Sequence, residues 1–422
     1  MIATPRLAII GLGYVGLPLA VALARHFPTT GFDIAQKRIA ELKDGIDRTD
    51  EVPSTVLRAS PLKLTADDQD IAGSDVFIVT VPTPVDDQNE PDLGAVIAAC
   101  KTVGKRLKKG AIVVFESTVY PGVTEDICGP ALAAAAGLRC GTDFFLGYSP
   151  ERINPGDKEH TVERITKIIA GQTPAVVEVL RRVYGAVNNN NLFVAKNIKT
   201  AEAAKVIENA QRDINIAFIN EVTMIFQKLG IAAHDVLDAA ATKWNFLRFT
   251  PGLVGGHCIG VDPFYLAHRA LALGHEPEII LAGRRINDGM GAYVAQCVDQ
   301  RVPRNAKILV LGLTFKENVP DLRNSKVVDI VNALKKAGHT VTVHDPLADP
   351  DEAKEHYGIT MAKSLDGIPP QDALIGAVAH AVYTTFTPQT FASLLKPNAL
   401  VADIKAIWRN ALIPTNFQKW EL

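Results

Sequence analysis

The chain opens on an apolar strand, Leu7-Ala8-Ile9-Ile10, that runs directly into Gly11-Leu12-Gly13-Tyr14-Val15-Gly16 and then a helical pattern with Pro18 in its first turn. Glycines at this spacing let a backbone turn tightly and approach a pyrophosphate, which rests on the free N–H groups of the following helix. Asp33 stands about 20 residues past Gly11, at the end of a second apolar run. A carboxylate there binds a ribose 2′-hydroxyl and repels a 2′-phosphate, which favours NAD over NADP. Gly11, Gly13, Tyr14, Val15, Gly16 and Asp33 are therefore candidate cofactor contacts, with Arg38 placed to pack on the adenine.

Short apolar runs then alternate with helical periodicity: 7–10, 31–34, 75–81, 111–116, 144–148, 165–170 and 192–195. Several are almost wholly apolar, as in parallel strands covered by helices on both faces. From Ala201 to Leu229 Gly and Pro are nearly absent, and Ala203, Val206, Ile207, Ala210, Ile214, Ala217, Phe218 and Val222 recur at spacings of three and four or beside them, which predicts one long helix. After Val302-Pro303-Arg304 the strand pattern restarts at 308–311, 340–344, 373–378 and 400–404. The restart repeats the opening in outline, with strand-Gly-Leu at 308–313 and a second strand ending in Asp345. The expected fold is α/β: two Rossmann-like, doubly wound parallel-sheet domains, 1–195 and 303–422, joined by a helical central domain, 196–302.

Length and charge agree with this. At roughly 150 residues per domain, 422 residues suggest two to three domains. Lys plus Arg number 44 against 46 Asp plus Glu, so net charge gives no support for a nucleic-acid surface. No run approaches the ~20 apolar residues that span a bilayer, and the N-terminal apolar run is too short for a signal peptide. The five cysteines, at 100, 128, 140, 258 and 297, form no Cys-x-x-Cys pair. Neither a disulfide framework nor a metal site is indicated, and a reducing cytoplasm is the expected location.

Cys258 lies in Gly255-Gly256-His257-Cys258-Ile259-Gly260-Val261-Asp262. Alone, such a cysteine is a small buried hydrophobe. Beside NAD it has another use, because a thiolate adds to an aldehyde and gives a thiohemiacetal whose hydride can leave. The flanking glycines suggest a backbone open to substrate, and His257 reads as structural because adjacent side chains diverge. Lys205 and Asn209 share one face of the long helix and interrupt its apolar stripe. Glu151 follows a strand end, where α/β sites are built. Lys316 and Arg323 follow the first strand of the second α/β domain, in a turn that lacks three glycines; they suit a nucleotide diphosphate.

Taken in order, these residues resemble the nucleoside-diphosphate-sugar 6-dehydrogenases, the UDP-glucose/UDP-N-acetylhexosamine dehydrogenase family. The resemblance spans essentially the whole chain. It includes Val81-Pro82-Thr83-Pro84, Glu116-Ser117-Thr118, Ser149-Pro150-Glu151, Lys205 with Asn209, Gly255 to Asp262, and Phe315-Lys316. It implies an NAD domain, a dimerising helical centre and a UDP-binding domain. It also implies oxidation of a sugar C6 hydroxymethyl to carboxylate with two NAD and one water. By motif, Cys258 is the nucleophile. Lys205 and Asn209 stabilise the oxyanion, and Asp262 acts through a water or orients Lys205. Glu151 serves the thioester stage and Thr118 holds a catalytic water. Pro82, Thr83, Ser117 and Thr118 join the cofactor contacts, and Arg323 matches a residue that reaches toward NAD, against the diphosphate reading above. Arg152, Phe246-Leu247-Arg248, Gly255, Gly256, Phe315, Lys316 and, as a weaker match, Lys405 fall to the substrate.

One departure narrows the substrate. UDP-glucose dehydrogenases carry Lys immediately before the Asp that follows the cysteine, and here that residue is Val261. Cys258 to Leu266, with Ser149-Pro150-Glu151-Arg152-Ile153-Asn154-Pro155-Gly156, is similar to the branch acting on UDP-N-acetylglucosamine and UDP-N-acetylgalactosamine. The product implied is a uronic acid for bacterial surface polysaccharide, O-antigen or capsule. The alternatives are the same chemistry on UDP-glucose or UDP-N-acetylmannosamine, a two-electron hydroxyacid dehydrogenase, and an NAD-binding sensor without catalysis.

Overall fold

The computed structural model describes residues 4–86, 88–152, 161, 163–256 and 259–422. By packing, these fall into two compact units, Met1–Glu208 with Phe264–His275 and Asn209–Pro263 with Glu276–Leu422.

In the first unit eight strands form one sheet: β1 (Leu7–Ile10), β2 (Thr29–Phe32), β3 (Lys63–Thr65), β4 (Val76–Val79), β5 (Ile112–Phe115), β6 (Phe145–Tyr148), β7 (Lys167–Gly171) and β8 (Leu192–Val194). Their order is β3-β2-β1-β4-β5-β6-β7-β8. The central strands are apolar throughout because each has two covered faces. Ala8, Ile10, Phe77, Val79, Val113 and Phe115 enter one core, while Leu7, Ile9, Val76, Ile78, Ile112 and Val114 enter another. Side chains alternate across a strand, so no position is left for a polar residue. The expected parallel sheet needs one correction. β7 runs antiparallel to β6, with Tyr148 opposite Ala170, and β8 then pairs parallel to β7.

The second unit carries β9 (Lys307–Leu311), β10 (Thr340–His344), β11 (Gln371–Gly376), β12 (Leu395–Asp403) and β13 (Gln418–Glu421), all parallel, in the order β10-β9-β11-β12-β13. The same alternation recurs. Ile308, Val310, Ala373 and Ile375 face one core, and Leu309, Leu311, Leu374 and Val401 the other.

The central stretch is helical, and its long helix runs Ile198–Leu229, 32 residues. The sequence boundaries near 196 and 303 are not where packing divides the chain. Ala195, Ile198 and Ala201 belong to a core of the first unit, whereas Met290, Val294 and Val298 of the helix Glu278–Asp299 belong to a core of the second. The long helix also departs from a single apolar stripe. Val206, Ala210 and Ala217 are buried, but Ile207 and Phe218 are more than half exposed. Among the described residues no helix is long and apolar enough to cross a membrane.

Within the second unit the buried face of this helix carries a polar network. Asp213 accepts from Arg284 Nη1 at 2.6 Å and Asn287 Nδ2 at 2.7 Å, and Asn220 donates to Asn287 Oδ1 at 2.8 Å. Removing one partner of a buried ion pair strands the other charge. Arg284→Met is expected to lower stability by about 3–5 kcal/mol, and Asp213→Asn added to it to recover part of the loss; urea denaturation measures both.

In the first unit, Asp47 accepts from Arg38, Thr49, Glu51 and Val52 and shapes the turn that holds Glu51. Burial, with the charges of Asp47, Asp50 and Glu151, pushes Glu51 up to about 6. The folded chain therefore holds this proton more tightly than the unfolded one, and stability falls as pH rises through the window from about 4.5 to 6. Glu51→Gln should remove that decline, a relative gain at pH 7 of about 1 kcal/mol after solvent screening of a half-exposed group. Parallel stability–pH curves for the two proteins would refute it.

Candidate active site

β1, β4, β5 and β6 lie side by side and parallel, so their carboxyl ends share one edge. The loops 11–16, 80–84, 116–118 and 149–152 leave from it. Strand order reverses between β1 and β4, the point where doubly wound sheets take ligands.

The three glycines of the first loop are there for different reasons. Gly11 has φ +93°, in the left-handed region. A Cβ on Gly16 would lie 1.9 Å from the Gly11 carbonyl oxygen, so only glycine lets the helix start this close to the strand. A Cβ on Gly13 would meet nothing within 4 Å, and Gly13 is exposed. That is an open face on a helix start, with Tyr14 and Val15 half-buried beside it. Asp33 is half-buried, accepts from the Leu12 amide at 2.9 Å and the Ala35 amide at 2.9 Å, and keeps its carboxylate at the same edge. This donor set fits a dinucleotide. The Arg38 side chain is buried, with Nε donating to Leu12 O at 3.0 Å and Nη2 to Asp47 at 2.7 Å. It braces the glycine turn from within.

The neighbouring loops are tied together. Ser117 Oγ donates to Val81 O at 2.5 Å and the Tyr148 hydroxyl to Ser117 O at 3.2 Å, which fixes Pro82, Thr83 and Thr118 relative to one another. Glu151 is buried and accepts from the Arg152 amide at 2.6 Å. The Arg152 guanidinium turns to Glu208 and Thr166 O. Lys205 is buried in the long helix, one turn before Asn209.

In the second unit, Asn209 Nδ2 donates to Asp262 Oδ2 at 2.5 Å, both buried, with Asp262 first in the helix Asp262–Ala272. Cys258 and His257 lie outside the described residues, as do Ile153, Asn154, Pro155 and Gly156. Gly255 and Gly256 are not an open backbone. A Cβ would lie 2.7 Å from Asn324 O at Gly255 and 2.8 Å from the Phe315 ring at Gly256, so both are glycines because Asn324 and Phe315 close over them.

Two cavities follow. One, of about 310 Å³, is lined by Arg212, Ile216, Arg248, Thr250, Gly252 and Lys405. The other, smaller, is lined by Phe315, Lys316, Ser325, Lys326 and Lys405. Lys405 and Leu253 line both, and five cations stand along the two cavities. Arg248 also pairs with Asp238. Phe246 and the exposed Leu247 do not line either cavity, and Arg323 is exposed and forked onto Asp321. The loop bearing Phe315 and Lys316 is held from below. Asp345 accepts from the Leu313 and Thr314 amides at 2.6 and 2.9 Å, and His380 Nδ1 accepts from the Asn318 amide at 3.0 Å. Against the effect of burial, the His380 and backbone hydrogen bonds hold the Asp345 carboxyl well below the usual range.

Several of these residues escaped sequence reading. Arg212 follows Asn209 by three and continues the 205–209 face, so a periodic signal existed. Lys326 sits in an ordinary polar loop and gave none. Asn220, buried, donates to Gly252 O at 3.0 Å and accepts from Gly252 N at 2.8 Å, gripping the 248–253 loop by both backbone groups.

The three parts of the chain match three models of one family, UDP-glucose/GDP-mannose dehydrogenase: its NAD binding domain over residues 5–188, its central domain over 199–289 and its UDP binding domain over 309–410. The chain is 52% identical to a UDP-N-acetyl-D-glucosamine 6-dehydrogenase of Pseudomonas aeruginosa, covering 95% of this chain and 96% of that one. It is 49% identical to protein CapL of Staphylococcus aureus over 99% of both. The structure of a UDP-D-ManNAc dehydrogenase from Pyrococcus horikoshii superimposes with a TM-score of 0.88 at 29% identity, covering 98% of each chain. The chain is thus an NAD-dependent oxidoreductase and belongs to the UDP-glucose/GDP-mannose dehydrogenase family.

Proposed function

We propose that the chain oxidises the C6 hydroxymethyl of a UDP-N-acetylhexosamine to the carboxylate in two steps, with Cys258 as nucleophile. The observation that carries this reading is the match, at 52% identity over 95% of the chain, to a protein named as a UDP-N-acetyl-D-glucosamine 6-dehydrogenase. Val261, where UDP-glucose enzymes carry Lys, supports the same branch and leaves UDP-GlcNAc and UDP-GalNAc as the substrates of choice.

The 11–16 turn and Asp33 would hold NAD, which when bound would accept the hydride of each of the two oxidations. The cations Arg212, Arg248, Lys316, Lys326 and Lys405 give the diphosphate its counter-charge, point charge from the lysines and forked donors from the arginines. The alcohol proton leaves as the first hydride does, through a water that Thr118 holds or that Asp262 activates. The Cys258 thiolate then adds to the aldehyde carbon, and Lys205 with Asn209 donates to the oxyanion that forms. The Asn209–Asp262 bond fixes the amide so that its donor faces are set before substrate arrives. Loss of the second hydride leaves a thioester. Water attacks its carbonyl carbon, Glu151 takes the water proton, and the C–S bond breaks to return the thiolate. The balance is two NAD reduced and one water consumed per sugar.

The exposed face of the long helix supports a homodimer. Ile207, Phe218, Ile225 and Leu229 are 54%, 57%, 50% and 64% exposed and fall on one side of the helix, a stripe that a second copy of this chain would cover. In this reading the enzyme works in the cytoplasm and its uronic acid enters a bacterial surface polysaccharide.

Two measurements test the proposal. NADH formed per sugar consumed is expected to be two, with Cys258→Ser losing net turnover to acid; a ratio of one refutes the thioester route. In a kcat/KM comparison of UDP-GlcNAc, UDP-GalNAc, UDP-ManNAc and UDP-glucose, the first two should lead, and a preference for UDP-glucose would overturn the Val261 reading. For the dimer, Phe218→Glu with Ile225→Glu should halve the mass seen by sedimentation, and an unchanged mass would place the interface elsewhere.

A further inference from the structure

The first unit buries one lysine among carboxylates at the edge where its loops leave. Lys167 opens β7 and is 1% exposed. Its Nζ donates to Glu116 Oε2 at 2.7 Å, to Pro150 O at 3.2 Å and to Glu151 Oε2 at 3.5 Å. Glu116, also 1% exposed, accepts the Tyr184 hydroxyl on its other oxygen at 2.6 Å. Glu51 adds a further negative charge near Glu151, while Arg152 spends its guanidinium on Glu208 and Thr166 O.

This arrangement depends on the reversed strand. A parallel β7 would begin at the amino edge of the sheet. Because β7 is antiparallel to β6, it begins at the carboxyl edge, and the pairing of Tyr148 with Ala170, carried three residues on, sets Glu151 opposite Lys167. Burying an ammonium costs several kcal/mol, and an apolar residue beside Ile168 and Ile169 would fill the core at no such cost. Although burial works against it, the Glu116 and Glu151 carboxylates hold Lys167 above the usual lysine range, while burial pushes the Glu116 carboxyl up.

We propose that Lys167, fixed by Glu116 and Tyr184, is a positioning residue that holds the Glu151 carboxylate for the hydrolytic half of the reaction. The inference rests on the reading above in which Glu151 takes the proton of the attacking water. Tyr184 orients Glu116, Glu116 and the Pro150 carbonyl orient the ammonium, and the ammonium holds one oxygen of Glu151. The Arg152 amide holds the other. A carboxylate gripped at both oxygens cannot swing away from the water it must deprotonate. The two hydride transfers do not need it.

The test separates the two halves of the reaction. Enzyme is mixed with NAD and the UDP-N-acetylhexosamine preferred in the substrate panel; NADH is followed by rapid mixing and the covalent sugar adduct by intact-protein mass. Lys167→Met should keep a burst of two NADH per site and slow adduct breakdown by about 100-fold, so that the adduct accumulates. Lys167→Arg should restore breakdown, because the charge and donors return. Tyr184→Phe, which removes one hydroxyl and keeps the ring, should slow breakdown roughly three- to tenfold with the burst intact. If Lys167→Met does not fold, Tyr184→Phe decides. Burst and breakdown slowed alike, or no adduct in either variant, overturns the proposal. Glu151→Gln is the control. If it turns over without adduct, the role given to Glu151 fails. If it accumulates adduct while the Lys167 and Tyr184 variants do not, the role of Lys167 alone fails.

Discussion

A strand covered on both faces has no place along its length for a polar side chain, and that constraint organises the whole chain. In both units alternate residues of each central strand enter opposite cores. Polar groups are thereby driven to the strand ends, and in a parallel sheet all the carboxyl ends lie together. The glycine turn, the Ser117 tether and Glu151 gather on one edge of the first sheet for this reason. The 313–318 loop and Lys405 gather on one edge of the second for the same reason. Lys167 is an exception to the rule within a strand, and it is tolerated because the strand is reversed and the lysine meets carboxylates at its first residue.

The two sheets use one device for different ends. Each has a glycine at φ +93° after its first strand, Gly11 and Gly312, and each has an Asp after its second strand whose carboxylate accepts from the amide that follows the glycine. Asp33 is half-buried and takes two backbone donors. Asp345 takes four, with His380 beside it, and is 6% exposed. Its acceptor capacity is spent on holding the loop that presents Phe315 and Lys316. A carboxylate so occupied has nothing left for a ribose. The second sheet has the same turn without a carboxylate placed for a ribose, which agrees with its single glycine and with the cations that line its cavities.

Much of this was legible in the amino-acid sequence, because the signals were local. The all-apolar strands, the spaced Asp33 and the three-and-four periodicity of the long helix each lie within a few residues. β3 and β13 were not legible, since Lys63-Leu64-Thr65 and Gln418-Lys419-Trp420-Glu421 are short edge strands that mix exposed and buried side chains with no apolar run. The direction of β7 was not legible either: the run 165–170 reads as a strand, but direction is set by how the chain returns, and Lys167 looks like any outward lysine until the strand is reversed. Gly255 and Gly256 misled for the converse reason. A glycine pair reads as open backbone, and what closes over it, Phe315 and Asn324, lies some sixty residues away, as the Asn324–Gly256 bond shows.

The long helix shows why periodicity alone could not find the site's support. Its buried face in the second unit holds Asp213, Asn220 and Thr223 where a stability argument would place leucines. Apolar side chains there would avoid the desolvation cost of Asp213 and Arg284. They would also leave Gly252 with a buried N–H and C=O and no partner, and an unpaired buried backbone group costs as much as a lost hydrogen bond. Asn is suited to this position because it presents one donor and one acceptor in a plane, the complement of a peptide unit. Asn287, held by Asp213, occupies the Asn220 amide from the other side and leaves it one orientation. The buried charges therefore act through two amides on the geometry of the 248–253 loop, and the polar helix face is understood as the cost of fixing a loop whose residues line the cationic cavity.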